Sequence, residues 1–277
     1  MVKNILKSSV YFIIYFVLQM VSMVGMLVYE IASGASTFTM DDPELMAEEL
    51  MDVLYKVSVP SLIISAILFF AIFILYKIIR KHPFDFKKIE VNKLLFFMCI
   101  GFLLNIVITL VVSGISLVLP KELVDALNAS TDAALTGQSF ALILLGTGIL
   151  VPLLEELVFR YGICGTMARK NALAALIVSS LVFGIVHGNL IQGTYAAILG
   201  LIFGIVYLKT KNIWYPAIMH MAINSSTVVV SCFNLPWLYA VLAVVSIVGI
   251  VIFIKKYPEL KNILKKDACL ESHQDNQ

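Results

Sequence analysis

Six side chains within seventy residues are of the types that carry hydrolytic chemistry, and their spacing is regular. Glu155, Glu156 and Arg160 stand in the run PLLEELVFRYG, His187 ends FGIVH, and His220 and Asn224 share WYPAIMHMAINSS. All six lie in strongly apolar surroundings. An ionised group at the centre of an inserting helix costs about 2.5–3.5 kcal/mol on insertion scales. Something must offset that cost for each charge.

Spacing says which groups can meet. Glu156 and Arg160 are i, i+4, with the acid N-terminal to the base, so one helical face can hold both as an ion pair. Glu155 points about 100° away from Glu156 and has no cation in its own helix. A carboxylate placed so suits a general base or a proton carrier. His220 and Asn224 are again i, i+4, and an imidazole beside a carboxamide offers two donors to a developing oxyanion. His187 comes from another helix and can approach Glu155 to steer a water. No serine or cysteine stands beside a histidine in a comparable motif, so no covalent nucleophile is indicated. The chemistry implied is attack of activated water on a carbonyl carbon. The bland alternative is helix–helix glue, in which each polar contact contributes roughly 1 kcal/mol. So many strongly polar groups on three helices are expensive for that purpose.

The elements that must position these residues are membrane helices. The chain has 277 residues, of which 60% are hydrophobic and 14% charged, and its mean hydropathy is +0.96. Soluble domains are less apolar, so a polytopic membrane protein is predicted. The net charge of +2 suggests no nucleic-acid partner. Apolar runs of spanning length predict about eight transmembrane helices, at Val10 to Ile31, Ser58 to Ile79, Leu94 to Leu119 and Phe140 to Met167, then Ala172 to roughly Leu190, Gly193 to Leu208, Ile213 to Cys232 and Trp237 to Ile254. The fold class predicted is therefore an all-α polytopic bundle. Lysine and arginine collect in alternate connections, which places both termini in the cytoplasm. The first run is too long for a signal peptide and is read as a retained helix. Glu44, Glu48 and Glu49 with Leu45, Leu50 and Leu54 predict a short amphipathic helix outside the membrane.

Residues 1–139 would hold three peripheral helices, 140–232 the working core, and 233–277 the last helix and a basic, frayed tail. Cys99, Cys164 and Cys232 fall in apolar runs and read as small buried hydrophobes, and Cys269 lies in the tail. His82 and His273 read as inert surface residues. Counting residues from the cytoplasmic side puts His220 about seven positions into its helix and His187 about fifteen, a depth difference of roughly 12 Å at 1.5 Å per residue. To meet, either the helix of His220 must begin inside the membrane or that of His187 must tilt or break near Gly184.

EELVFR fits EExxxR, FGIVH fits FxxxH and HMAIN fits HxxxN, in order and on successive helices. The chain thereby resembles the CPBP intramembrane proteases, which include CAAX prenyl endopeptidases and bacterial Abi or bacteriocin-processing proteins. The likeness runs from about Phe140 to Ser231. It implies a glutamate-dependent membrane endopeptidase without a catalytic metal or other cofactor. In that analogy Glu155 and His187 activate water, His220 and Asn224 stabilise the oxyanion, and Glu156 and Arg160 keep the site in shape. The implied partners are a peptide or membrane-protein substrate and the lipid bilayer.

Three other readings stay open from sequence. Glu155, His187 and His220 could ligate a zinc ion with an open fourth position, although the HExxH spacing is absent. The protein could be a non-catalytic immunity or scaffold factor. A transporter using intramembrane carboxylates is disfavoured because the charges cluster in one half of the chain. The Lys-rich, Arg-poor composition hints at a bacterial cytoplasmic membrane and a leader, signal or pheromone peptide as substrate.

Overall fold

The computed structural model describes residues 2–260 apart from 35, 37, 38, 40, 82–86 and 136. His82, Cys269, His273 and the polar tail lie outside the described residues. Among those described there are nine helices and no strand. In chain order they are α1 (Val2–Ala32), α2 (Pro43–Ile79), α3 (Val91–Ser116), α4 (Lys121–Leu135), α5 (Phe140–Ala168), α6 (Ala172–Ile185), α7 (Leu190–Thr210), α8 (Trp214–Phe233) and α9 (Trp237–Lys256). Seven of them are long and apolar enough to cross a membrane. The protein is an integral membrane protein.

The eighth expected crossing, α6, is apolar but has only 14 residues, about 21 Å of rise against a hydrocarbon core of about 30 Å. It stops because Gly188 takes a positive φ of 68° and Asn189 then caps α7, its Oδ1 accepting from the backbone N–H groups of Ile191 and Gln192 at 3.0 and 3.1 Å. The chain therefore turns back at 186–189, short of a full crossing, with His187 in the turn. The break comes just after Gly184, one of the two ways the depth mismatch could be resolved.

The acidic stretch of residues 44–54 is helical as expected, but it is not a separate helix. It continues without a break into the span, making α2 37 residues long, with Asp42 capping its start. The segment between the third and fourth apolar runs is the amphipathic helix α4, which packs on α2, α7 and α8. Cys99 and Cys164 are buried, whereas Cys232 is exposed on the outer surface of α8.

Small residues let α6 and α7 approach closely. A Cβ on Gly184 would lie 2.5 Å from the Gly193 carbonyl oxygen, and one on Gly200 3.1 Å from Ser180. Such close backbone contact substitutes for the hydrophobic driving force that is missing between helices in lipid. The crossing aims Phe183 into the core and leaves His187 at its end.

Two prolines interrupt backbone bonding, and side chains from elsewhere repair the ladder. Pro60 has no N–H for the Lys56 carbonyl, which accepts instead from the Gln138 side chain. In α5 the turns widen to π geometry at Leu144–Leu150 and again at Leu157–Cys164. The first widening runs into Pro152, so the carbonyls of Thr147 and Gly148 lose their ordinary partners. Asn224 Nδ2 donates to Thr147 O and Ser225 Oγ to Gly148 O, each at 3.1 Å. These bonds set the height of α8 against α5.

Gly184→Val is expected to separate α6 from α7. Its thermal unfolding in detergent should fall by the 1–3 kcal/mol typical of an overpacked core. An unchanged transition would mean that the close crossing is not structurally required.

Candidate active site

The two glutamates of α5 and the histidine of α8 form one contact chain. Arg160 Nε lies 3.0 Å from Glu156 Oε2, so the ion pair expected from the i, i+4 spacing forms. Glu156 Oε1 faces His220 Nδ1 at 3.1 Å, and His220 Nε2 faces Glu155 Oε2 at 3.7 Å. Adjacent glutamates point about 100° apart on a helix, yet both reach the same ring because its nitrogens lie on opposite sides. Glu156 and Arg160 have no solvent exposure. Glu155 is buried as well, at 7% exposure, and His220 at 4%.

The Arg160–Glu156 contact is close but poorly aligned for hydrogen bonding, and both Nη atoms of Arg160 have no acceptor among the described residues. Charge and aromatic faces hold the guanidinium in place. Its carbon sits 4.7 Å from the ring centre of Phe183 and 5.7 Å from that of Phe203, positions at which the ring quadrupole attracts a cation. Phe183 belongs to one core cluster with Phe159 and Tyr15, and Phe203 to another with Phe97 and Met219. The buried cation lies at the seam between them. His220 touches both rings, at 5.7 Å from Phe183 and 5.1 Å from Phe203.

His187 is half-buried. Its Nδ1 lies 2.7 Å from the Phe183 carbonyl oxygen; a carbonyl accepts only, so Nδ1 carries the proton and Nε2 is left free. Asn224 commits one amide N–H to Thr147 and keeps a second. Glu155, His187, His220 and Asn224 all line one cavity of about 590 Å³. Glu156 and Arg160 lie behind it. Among the described residues no three histidine, cysteine, aspartate or glutamate side chains converge as ligands for a metal ion.

One neighbour is not among the residues singled out by spacing. Tyr15, on α1, donates its hydroxyl proton to Glu155 Oε1 at 3.3 Å and also lines the cavity. The first three helices were expected only to pack around the core, but α1 and α3 reach it. From α3, Asn105 Nδ2 donates to Ser226 Oγ at 2.8 Å, and Thr227 Oγ1 donates to Asn105 Oδ1 at 3.3 Å. A tyrosine in an apolar run reads as a core aromatic. The available signal was Gln19, one turn beyond it on the same helical face.

Residues 137–226 match the family model described as type II CAAX prenyl endopeptidase Rce1-like. That stretch, about a third of the chain, is similar to an Rce1-like domain. It includes all six residues singled out by spacing. Curated relatives agree over a similar length. One is YdiL of Bacillus subtilis (strain 168), whose name assigns it provisionally to the membrane peptidases, 36% identical over 33% of this chain and 38% of its own. Another is the membrane-embedded CAAX protease MroQ of Staphylococcus aureus (strain USA300), 36% identical over 31% and 38%. A third, the UPF0177 protein YxdF of Lactococcus lactis subsp. lactis (strain IL1403), is 38% identical over 28% and 43%. The chain thus spans about two fifths of the length of each relative. No solved structure matches it.

Arg160→Met would leave the Glu156 charge buried with only His220 opposite it. A loss of about 3–5 kcal/mol is expected, as for other broken buried pairs, and Glu156→Gln in the same chain should restore part of it. Denaturant titration in mixed micelles measures both. Equal stability of Arg160→Met and the unaltered chain would refute the pair's structural role.

Proposed function

We propose that the protein is a membrane-embedded endopeptidase, hydrolysing a peptide bond in a hydrophobic or membrane-associated peptide with water activated at Glu155. The observation that carries this reading is the single cavity on which Glu155, His187, His220 and Asn224 converge, with Glu155 and His220 facing one another across 3.7 Å. The Rce1-like segment and the peptidase names of its relatives support the reaction class.

The roles follow from the free atoms. Glu155 takes a proton from water as its oxygen attacks the carbonyl carbon. His187, tied at Nδ1 to the Phe183 carbonyl, offers Nε2 as an acceptor that orients the water. His220 Nε2–H and the second N–H of Asn224 donate to the oxygen that becomes negative. Removing one such donor from an acyl-transfer site typically slows it 10²–10³-fold. Glu155 then returns the proton to the leaving nitrogen as the C–N bond breaks.

The substrate assigned is a leader, signal or pheromone-type peptide, cleaved in a bacterial cytoplasmic membrane with both termini of the protein in the cytoplasm. The motive is the loop charges and a cation set in which only Arg80, Arg160 and Arg169 of 20 are arginine.

Detergent-purified protein, incubated with a chelator and a hydrophobic peptide library, should release products visible by mass spectrometry. Glu155→Ala and His220→Ala should each slow release by at least about 10²-fold, the lower end for a lost general base. Chelator-sensitive cleavage would move the same residues to a zinc site. Full activity in Glu155→Ala would overturn the mechanism.

A further inference from the structure

The Glu155 carboxylate has two oxygens in different surroundings. Oε2 faces His220, and Oε1 accepts from Tyr15. Tyr15 lies outside the Rce1-like segment, on a helix that packs chiefly on α2 and the C-terminal half of α5. The hydroxyl is 140 residues away in sequence from its partner, so the contact exists only because α1 docks where it does.

Three features fix that docking. A Cβ on Gly162 would lie 2.7 Å from the Tyr11 ring, so only glycine lets α1 come this close. One turn further along α1, the Tyr15 ring packs edge-on to Phe159, with centroids 5.9 Å apart. One turn beyond that, Gln19 continues the same face and lines the cavity with Tyr15. Tyr11, Tyr15 and Gln19 thus form one i, i+4, i+8 face, laid against Gly162, Phe159 and Glu155 of the antiparallel α5. At 4% exposure the Tyr15 hydroxyl has little water to turn to, and its proton goes to the carboxylate.

We infer that α1 completes the site, with Tyr15 as a positioning residue that occupies Glu155 Oε1 and leaves Oε2 to take the proton from water. This rests on the peptidase reading above. The other ionisable groups around that carboxylate are Glu156 and Arg160 on its own helix, His220 on α8 and His187 at the end of α6. Among these, His220 meets the carboxylate at Oε2, so the Tyr15 hydroxyl at Oε1 is the second point that fixes how the carboxyl plane lies. A carboxylate free to rotate would present its lone pairs to the cavity in more than one way. Loss of orientation then appears in the chemical step and not in substrate binding.

Tyr15→Phe keeps the ring and its packing on Phe159 and removes only the hydroxyl. On the best peptide of the library, kcat should drop about tenfold, the equivalent of one charge-assisted hydrogen bond, with KM within about twofold. Gly162→Ala, which displaces α1 while keeping Tyr15, should lower kcat in the same direction. Tyr29→Phe, on an exposed part of α1, should leave both constants unchanged. Thermal unfolding supplies a readout that needs no substrate. The shift caused by Tyr15→Phe should be present with Glu155 and absent in the Glu155→Ala background. Coupling without a change in kcat would overturn the positioning role, and absence of coupling would overturn the contact itself. Should the unaltered chain cleave nothing, the peptidase reading falls, while the unfolding cycle still decides whether Tyr15 holds Glu155.

Discussion

A single imidazole ties the core of this protein together. His220 stands between Glu156, already paired with Arg160, and Glu155, so four ionisable groups on two helices form one chain of contacts. Each would be costly alone in an apolar bundle. Held together, Arg160 lies beside Glu156 and both carboxylates face one imidazole, so the groups offset part of the cost that each would impose alone. The surroundings follow from that. Phe183 and Phe203 cover the faces of Arg160 and flank His220, and these rings come from two different core clusters. The geometry of the charges and the packing of the bundle are therefore one problem with one solution.

That solution requires α8 to sit at one height on α5, and irregular backbone sets the height. A regular helix keeps its carbonyls to itself and offers a neighbour only side chains. The wide turn at Leu144–Leu150, running into Pro152, frees Thr147 and Gly148 to accept from Asn224 and Ser225. Buried backbone acceptors without partners are expensive where no water can reach them, so the match is strongly directional. Asn224 is one turn from His220. Fixing the first against Thr147 brings the second level with the glutamates. Asn224 accordingly has a structural bond as well as a free N–H facing the cavity, and both uses draw on the same carboxamide.

How much of this the sequence carries depends on the range of the contact. The Glu156–Arg160 pair lies within one helix turn and is readable from spacing. The spanning helices are readable from long apolar runs, and the start of α2 from its acidic residues spaced with leucines, although not the continuity of the two through residues 44–57. The turn after Gly184 was visible only as a depth mismatch, because Gly188 and Asn189 interrupt an apolar run that otherwise reads as one crossing. The amphipathic α4 was missed because its hydrophobic face is short and its partners are distant in sequence. Tyr15 was missed for a related reason. Its role depends on where α1 docks, which is set by Gly162, a residue on another helix with no side chain to announce it.

The short α6 has a consequence for a site within a membrane. Non-helical backbone is tolerated at that depth only where it is buried in protein or lines a wet cavity, and the 186–189 turn borders the cavity at Val186 and His187. Above it, α4 closes the space that a full-length hairpin would have filled, contributing Leu127, Asn128 and Thr131 to the cavity wall. On the proposed reading, hydrolysis needs water at Glu155, and the route is built from groups that hold water without adding charge. Asn105 and Thr109 of α3 and Asn128 and Thr131 of α4 are carboxamides and hydroxyls, and among the described residues no lysine or arginine lines the cavity. Ions along the same path would each bring their own insertion cost and would compete with His220 for Glu155. A neutral polar lining hydrates the carboxylate and leaves its charge balance to the imidazole, so the constraint that organises the core also limits what may line the way to it.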